Sequence, residues 1–148
     1  MAGPQEYSAS GRVMPRITLD EFIDVVNQIH AEGIRVNLLL NSVCEGSHWY
    51  DAEVVQSRID FVGLLHRGHG VETVTIANPI YIKAIREHFP EIEITVSVLG
   101  GVDSVQRAVY FDDMGVDVIV PDTSINRDMS LPRQIKGSIR ARLKRIPN

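Results

Sequence analysis

The sequence predicts an α/β fold, a parallel sheet covered by helices. Three observations carry this. The short runs "IRVNLLL", "VETVTIA", "EIEITVSV" and "VDVIV" are rich in Val, Ile or Leu and read as buried strands of a sheet covered by helices. The segments between them repeat apolar residues at three- and four-residue spacing, the period of an amphipathic helix. Helix and strand follow each other four times, and a helix closes the chain, an order that specifies parallel strands joined by helical crossovers.

The first helix is read at residues 18–33, where Leu19, Phe22, Ile23, Val26 and Ile29 share a face. Thr18 and Glu21 form a T-x-x-E capping box, and Gly33 is the stop. "IRVNLLL" follows as a buried strand. Residues 51–68 place Val55, Ile59, Val62 and Leu65 or His66 on one face, with Gly68 and Gly70 marking the end. After the second strand, Asn78 is the expected N-cap and Pro79 the first helical residue, where a missing N–H costs nothing. The third strand leads to a helix opened by a D-x-x-Q box, Asp103 to Gln106, and stopped by Gly115. After the fourth strand, Leu131, Ile135, Ile139 and Leu143 lie four apart, so a last helix is expected through residues 131–146.

Composition narrows the function. With 44% hydrophobic and 23% charged residues, the 148-residue chain can bury one core. Residues 1–17 read as a flexible N-terminal segment and 18–148 as the folded domain. A net charge of −4 argues against wholesale nucleic-acid binding, which calls for a basic surface. The single cysteine, Cys44, leaves no internal disulfide and suits a reducing compartment, so the cytoplasm is the expected location. No run approaches the roughly 18 apolar residues of a membrane helix, so no membrane partner is expected.

Two parallel-sheet architectures remain: a doubly wound sheet, or part of a TIM barrel. No strand-to-helix turn carries G-x-G-x-x-G or a Walker lysine, so nucleotide binding has no support. Four strand-helix units are half of an eight-stranded barrel. The two open strand edges of such a half would invite pairing with missing barrel strands or with another copy in a homo-oligomer.

The stretches "GIRVNLLLNSVCEG" and "VETVTIANPIYIKAIREHFPEIEITVSVLGGVDSVQRAVYFDDMGVDVIVPDTSINRD" resemble the peptidase U32 family, the collagenase-like proteases. The resemblance runs from about Leu19 to Leu143. Its most specific parts are Asn41 at a strand end, "TIANP" before a helix, "FPEIEITVSV" leading into "VDSVQRA", and "MGVDVIVPDTSINRD". It implies a partial TIM-barrel-like fold, about half a barrel. The implied activity is that of a protease in name, a hydrolase acting on a peptide or small-molecule substrate. Other members carry out oxygen-independent hydroxylation of RNA bases or of a quinone precursor, using an iron–sulfur cluster. The cysteines of that cluster would lie downstream of Asn148, so no cofactor is expected in this chain.

In such barrels the functional face is the carboxyl end of the strands. Residues 41–48, Asn78, Ser97 and 122–127 are expected there, and Asn41, Glu45, Asn78, Ser97, Asp122, Asn126 and Arg127 are the candidate substrate contacts. Amides at strand ends both donate and accept, though Asn78 before Pro79 also suits a simple cap. Arg127 either grips an anionic substrate group or locks its loop through Asp122 or Asp128. A Cys44–His48 nucleophile and base would need an orienting third group, and Glu45 with His48 lacks a third metal ligand. Function is therefore expected to depend on Asn41, Asn78 and Arg127 more than on Cys44, and no catalytic residue is assigned. Trp49 and Tyr50 read as packing, and His66 and His69 as a solvated helix end. The basic stretch Arg133, Lys136, Arg140, Arg142, Lys144 and Arg145 reads as a solvated helix face, with RNA contact as the sharper alternative. A scaffold half-barrel without chemistry is the rival function. A lyase or aldolase is disfavoured, because no lysine stands at a strand end.

Overall fold

The computed structural model describes residues 17–40 and 48–146, and the expectations for residues 1–16 and for Asn41, Cys44 and Glu45 fall outside them. The chain runs α1 (Leu19–Ala31), β1 (Asn37–Leu40), α2 (Ala52–His69), β2 (Thr73–Ile76), α3 (Pro79–His88) and β3 (Glu93–Val96). It continues through a 3₁₀ turn (Val98–Gly100), α4 (Val105–Asp112), β4 (Val118–Ile119), a second 3₁₀ turn (Thr123–Ile125), α5 (Leu131–Ser138) and β5 (Arg142–Leu143). All neighbouring strands pair in parallel, in the order β1-β2-β3-β4-β5.

Parallel strands in sequential order, joined by helical crossovers that share the one usual hand, put the helices on one face of the sheet, the arrangement of a barrel segment. The helices lie side by side there, α1 against α2, α2 against α3 and α4 against α5. The register aligns Leu38, Val74 and Ile94 in one row, and Leu40, Ile76, Val96 and Ile119 in the next. These side chains are at most 1% exposed and form the core with Phe22, Leu65, Tyr81 and Phe111. On the alternate side of the pleat lie Thr73, Thr75 and Thr95. There Thr73 donates to the Val36 carbonyl at 3.1 Å and Thr75 to Asn37 Oδ1 at 3.0 Å.

The caps follow local chemistry. Thr18 and Glu21 close the expected box, with Glu21 N–H donating to Thr18 Oγ1 at 3.2 Å and Thr18 N–H to Glu21 Oε2 at 2.7 Å. Helix α2 ends on Gly70 at φ +68, a left-handed position that costs glycine nothing. Helix α4 corrects the sequence reading: its cap is Ser104, whose Oγ accepts from Arg107 N–H at 3.4 Å, in place of Asp103.

The last expected helix is also corrected, because it stops at Ser138 and the chain then forms a fifth strand. Gly137 weakens the helix from within. Outside it, Asp112 Oδ1 accepts from Arg140 N–H at 3.0 Å and Ala141 N–H at 2.8 Å. Arg142 N–H donates to Asp117 O and Lys144 N–H to Ile119 O, each at 2.9 Å. These bonds outweigh the four-residue spacing, which here spans a helix and a strand. The basic residues of this stretch are tethers as well as surface. Arg140 reaches Asp112, Arg142 reaches Glu93, Lys136 donates to the Ala141 carbonyl, and Arg145 to that of Asn126.

Candidate functional site at the carboxyl ends of the strands

Strands β2, β3 and β4 each deliver a polar residue to one end of the sheet. Asn78 follows β2 and caps α3, its Oδ1 accepting from Ile80 N–H at 2.9 Å. Ser97 follows β3, is 2% exposed, and accepts from Leu99 N–H at 3.2 Å. Asp122 follows β4 and accepts from Ser124 N–H at 2.7 Å, a bond that holds its carboxyl below the usual aspartate range. All three candidates are thus N-caps of the turn or helix that leaves the strand, which fixes their backbones at the rim.

The loops are tied to one another. Asp122 N–H donates to Val102 O at 2.9 Å, joining the loops after β3 and β4. Asn126 Nδ2 donates to the Ile146 carbonyl at 2.9 Å, joining the loop after β4 to the segment after β5. Arg127 is exposed. Among the described residues no ion pair joins it to Asp122 or Asp128, which corrects the loop-lock alternative. Asp128 instead accepts from Leu131 N–H at 3.1 Å and from Ser130, and those bonds lower its pKa.

The turn before α2 supplies what sequence reasoning missed. His48 Nδ1 lies 2.9 Å from Asp51 Oδ2, and Tyr81 donates its hydroxyl to the Trp49 carbonyl at 3.1 Å. The H-x-x-D spacing was the available signal. His66 is corrected as well: it is not solvated but lies between acceptors, Val71 O at Nδ1 and Glu91 Oε1 at Nε2, each at 2.8 Å. Among the described residues, no three His, Cys, Asp or Glu side chains gather as a metal site requires, and no helix is long and apolar enough to cross a membrane.

Residues 1–137 match the family model described as Peptidase family U32. The chain belongs to this family. It is 24% identical over 147 residues to a protein of Methanocaldococcus jannaschii named uncharacterized protease MJ1657, covering 99% of this chain and 43% of that protein. The chain thus spans less than half of that relative. The solved U32 peptidase Mk0906 superposes with a TM-score of 0.81 at 21% identity, over 97% of this chain and 58% of that one. This likeness establishes the U32 fold for the chain, parallel strand-helix units forming part of a barrel.

Proposed function

We propose that the chain carries the strand-end part of a U32 hydrolase that cleaves peptide bonds, with no cofactor of its own. The observation that supports this most directly is the placing of Asn78, Ser97 and Asp122 at the ends of three successive parallel strands, where barrels place their chemistry. The name of the archaeal relative, a protease, points the same way. In this reading Asn78 and Asn126 orient the peptide backbone. Arg127, whose guanidinium is paired with neither neighbouring carboxylate, binds an anionic group such as a peptide carboxylate. Incubation of the purified chain with a mixed peptide library, followed by mass spectrometry, tests the reading. Cleavage is expected, with a KM raised about tenfold in Arg127→Ala, the loss of roughly one charge-assisted contact. Specific peptide binding without cleavage would make the chain a scaffold instead.

A further inference from the structure

Among the ion pairs of the described residues, His48–Asp51 differs from the others in its place in the fold. Among the described residues, the Arg35–Glu72, His66–Glu91, Arg86–Asp117, Arg140–Asp112, Arg140–Asp113 and Arg142–Glu93 pairs all lie at the amino ends of the strands. His48–Asp51 stands at the carboxyl end, where the candidate site is. Asp51 occupies the N-cap position of α2, yet its side chain makes no cap bond, whereas Thr18, Asn78 and Ser104 all spend theirs on capping. At that position an aspartate normally makes a stabilising cap bond. Asp51 forgoes it and holds His48.

The geometry also fixes which nitrogen is available. Nδ1 lies 2.9 Å from Asp51 Oδ2, and because an ionised carboxylate only accepts, Nδ1 is the nitrogen that carries the hydrogen; in the neutral ring Nε2 then holds the lone pair. The His48 side chain is 77% exposed, so Nε2 is accessible. The turn that carries it is not loose. Asp51 N–H donates to His48 O at 3.0 Å, and the Trp49 carbonyl is gripped by Tyr81, itself 1% exposed.

We propose that His48 is the general base of this site and Asp51 its positioning residue, an assignment that rests on the peptide-hydrolase reading. Water attacks the scissile carbonyl carbon, and as the C–O bond forms Nε2 takes the water's proton. The C–N bond then breaks while Nε2–H delivers that proton to the leaving amine. One water is consumed, the imidazole returns neutral, and Asp51 stays ionised throughout. No oxidant or reductant takes part.

The test uses the 148-residue chain with a peptide library and with p-nitrophenyl acetate. His48→Gln should lower kcat by about 10²- to 10⁴-fold, the usual worth of a general base, leave KM within a few-fold, and remove the acidic limb of the pH–rate profile. Asp51→Ser should lower kcat while Tm holds or rises, because serine caps the helix, a result that a merely structural role would not give. Independently of activity, ¹⁵N NMR should find the neutral His48 ring protonated on Nδ1, and shifted toward Nε2–H in Asp51→Ser. Peptide cleavage undiminished in His48→Gln would overturn the proposal and leave the peptidase reading standing. Ester hydrolysis that depends on His48, without peptide cleavage by the parent chain, would sink the peptidase reading and keep the base. A parent chain inert on both substrates, or a ring protonated on Nε2, would overturn the assignment.

Discussion

Asp112 offers the sharpest test of how the fifth strand is held. Its side chain is 7% exposed, and one oxygen, Oδ1, takes both the Arg140 and Ala141 backbone N–H groups, while Oδ2 takes Arg140 Nε at 3.0 Å. In Asp112→Ala both N–H groups lose their partner. Ala141 is buried, so its donor bears a penalty of about 2 kcal/mol, and the half-buried Arg140 N–H adds about 1, for a total near 3 kcal/mol. The Arg140 side chain is 79% exposed and rehydrates, so the ion pair contributes under about 1 kcal/mol. Asp112→Asn keeps an oxygen for both N–H groups and loses only the guanidinium partner, so it should cost about 1 kcal/mol. Burial opposes ionisation of Asp112, but the Ala141 and Arg140 bonds overcome it and hold the carboxyl below the ordinary aspartate range. A depressed folded pKa makes this stabilisation whole above the unfolded value, about 3.9, and lost as pH falls through the folded one. Urea unfolding followed by circular dichroism at pH 7 and at descending pH measures all of this. A cost below about 1 kcal/mol for Asp112→Ala, or equal costs for Ala and Asn, would refute the reasoning.

Other substitutions probe separate parts of the fold. Thr18→Ala removes the capping box of α1 and should cost about 1 kcal/mol by thermal unfolding. Gly100→Ala would bring a Cβ to 2.8 Å from Val96 Cγ1 and should cost about 1–3 kcal/mol through overpacking, read in the same experiment. Its own backbone N–H and His66 hold the Glu91 carboxyl below the usual glutamate range. Its contribution should therefore persist above the unfolded pKa and fade as pH falls through the folded one, and the acid limb of the Tm–pH curve should flatten in Glu91→Gln.

Much of the fold is legible in the sequence, because the helical period and the caps at Thr18, Asn78 and Gly70 are local and mutually consistent. Strand β5 is not. It has two residues, and a partner 28 residues away, Asp112, decides that the chain turns at Arg140. The choice between Asp103 and Ser104 as a cap is equally hidden, since both are good capping residues and only the backbone tells which one takes the position. At the site, the candidates at 78, 97 and 122 follow from counting strand ends. The role of Asp51 does not, because an acid at a helix start normally caps it, and only the turn geometry shows that this one faces His48.

The two ends of the sheet divide the work, and this decides which experiments are informative. At the amino end, Asp117 Oδ2 accepts from Ile94 N–H at 2.8 Å and from Arg86 Nη2 at 2.6 Å, so a side chain there sets strand position and its loss reads as stability. At the carboxyl end Asn78, Ser97 and Asp122 are each both a cap and a candidate substrate contact. Replacing any of them by alanine removes about 1 kcal/mol of local stability before a substrate is considered, so a loss of activity there is ambiguous. Arg127 and His48 are exposed, cap nothing, and should leave Tm unchanged when replaced. Activity lost at these two positions with Tm constant would locate chemistry at the strand ends, whereas activity unchanged in both variants would remove Arg127 and His48 from the site and leave the carboxyl face resting on the caps alone.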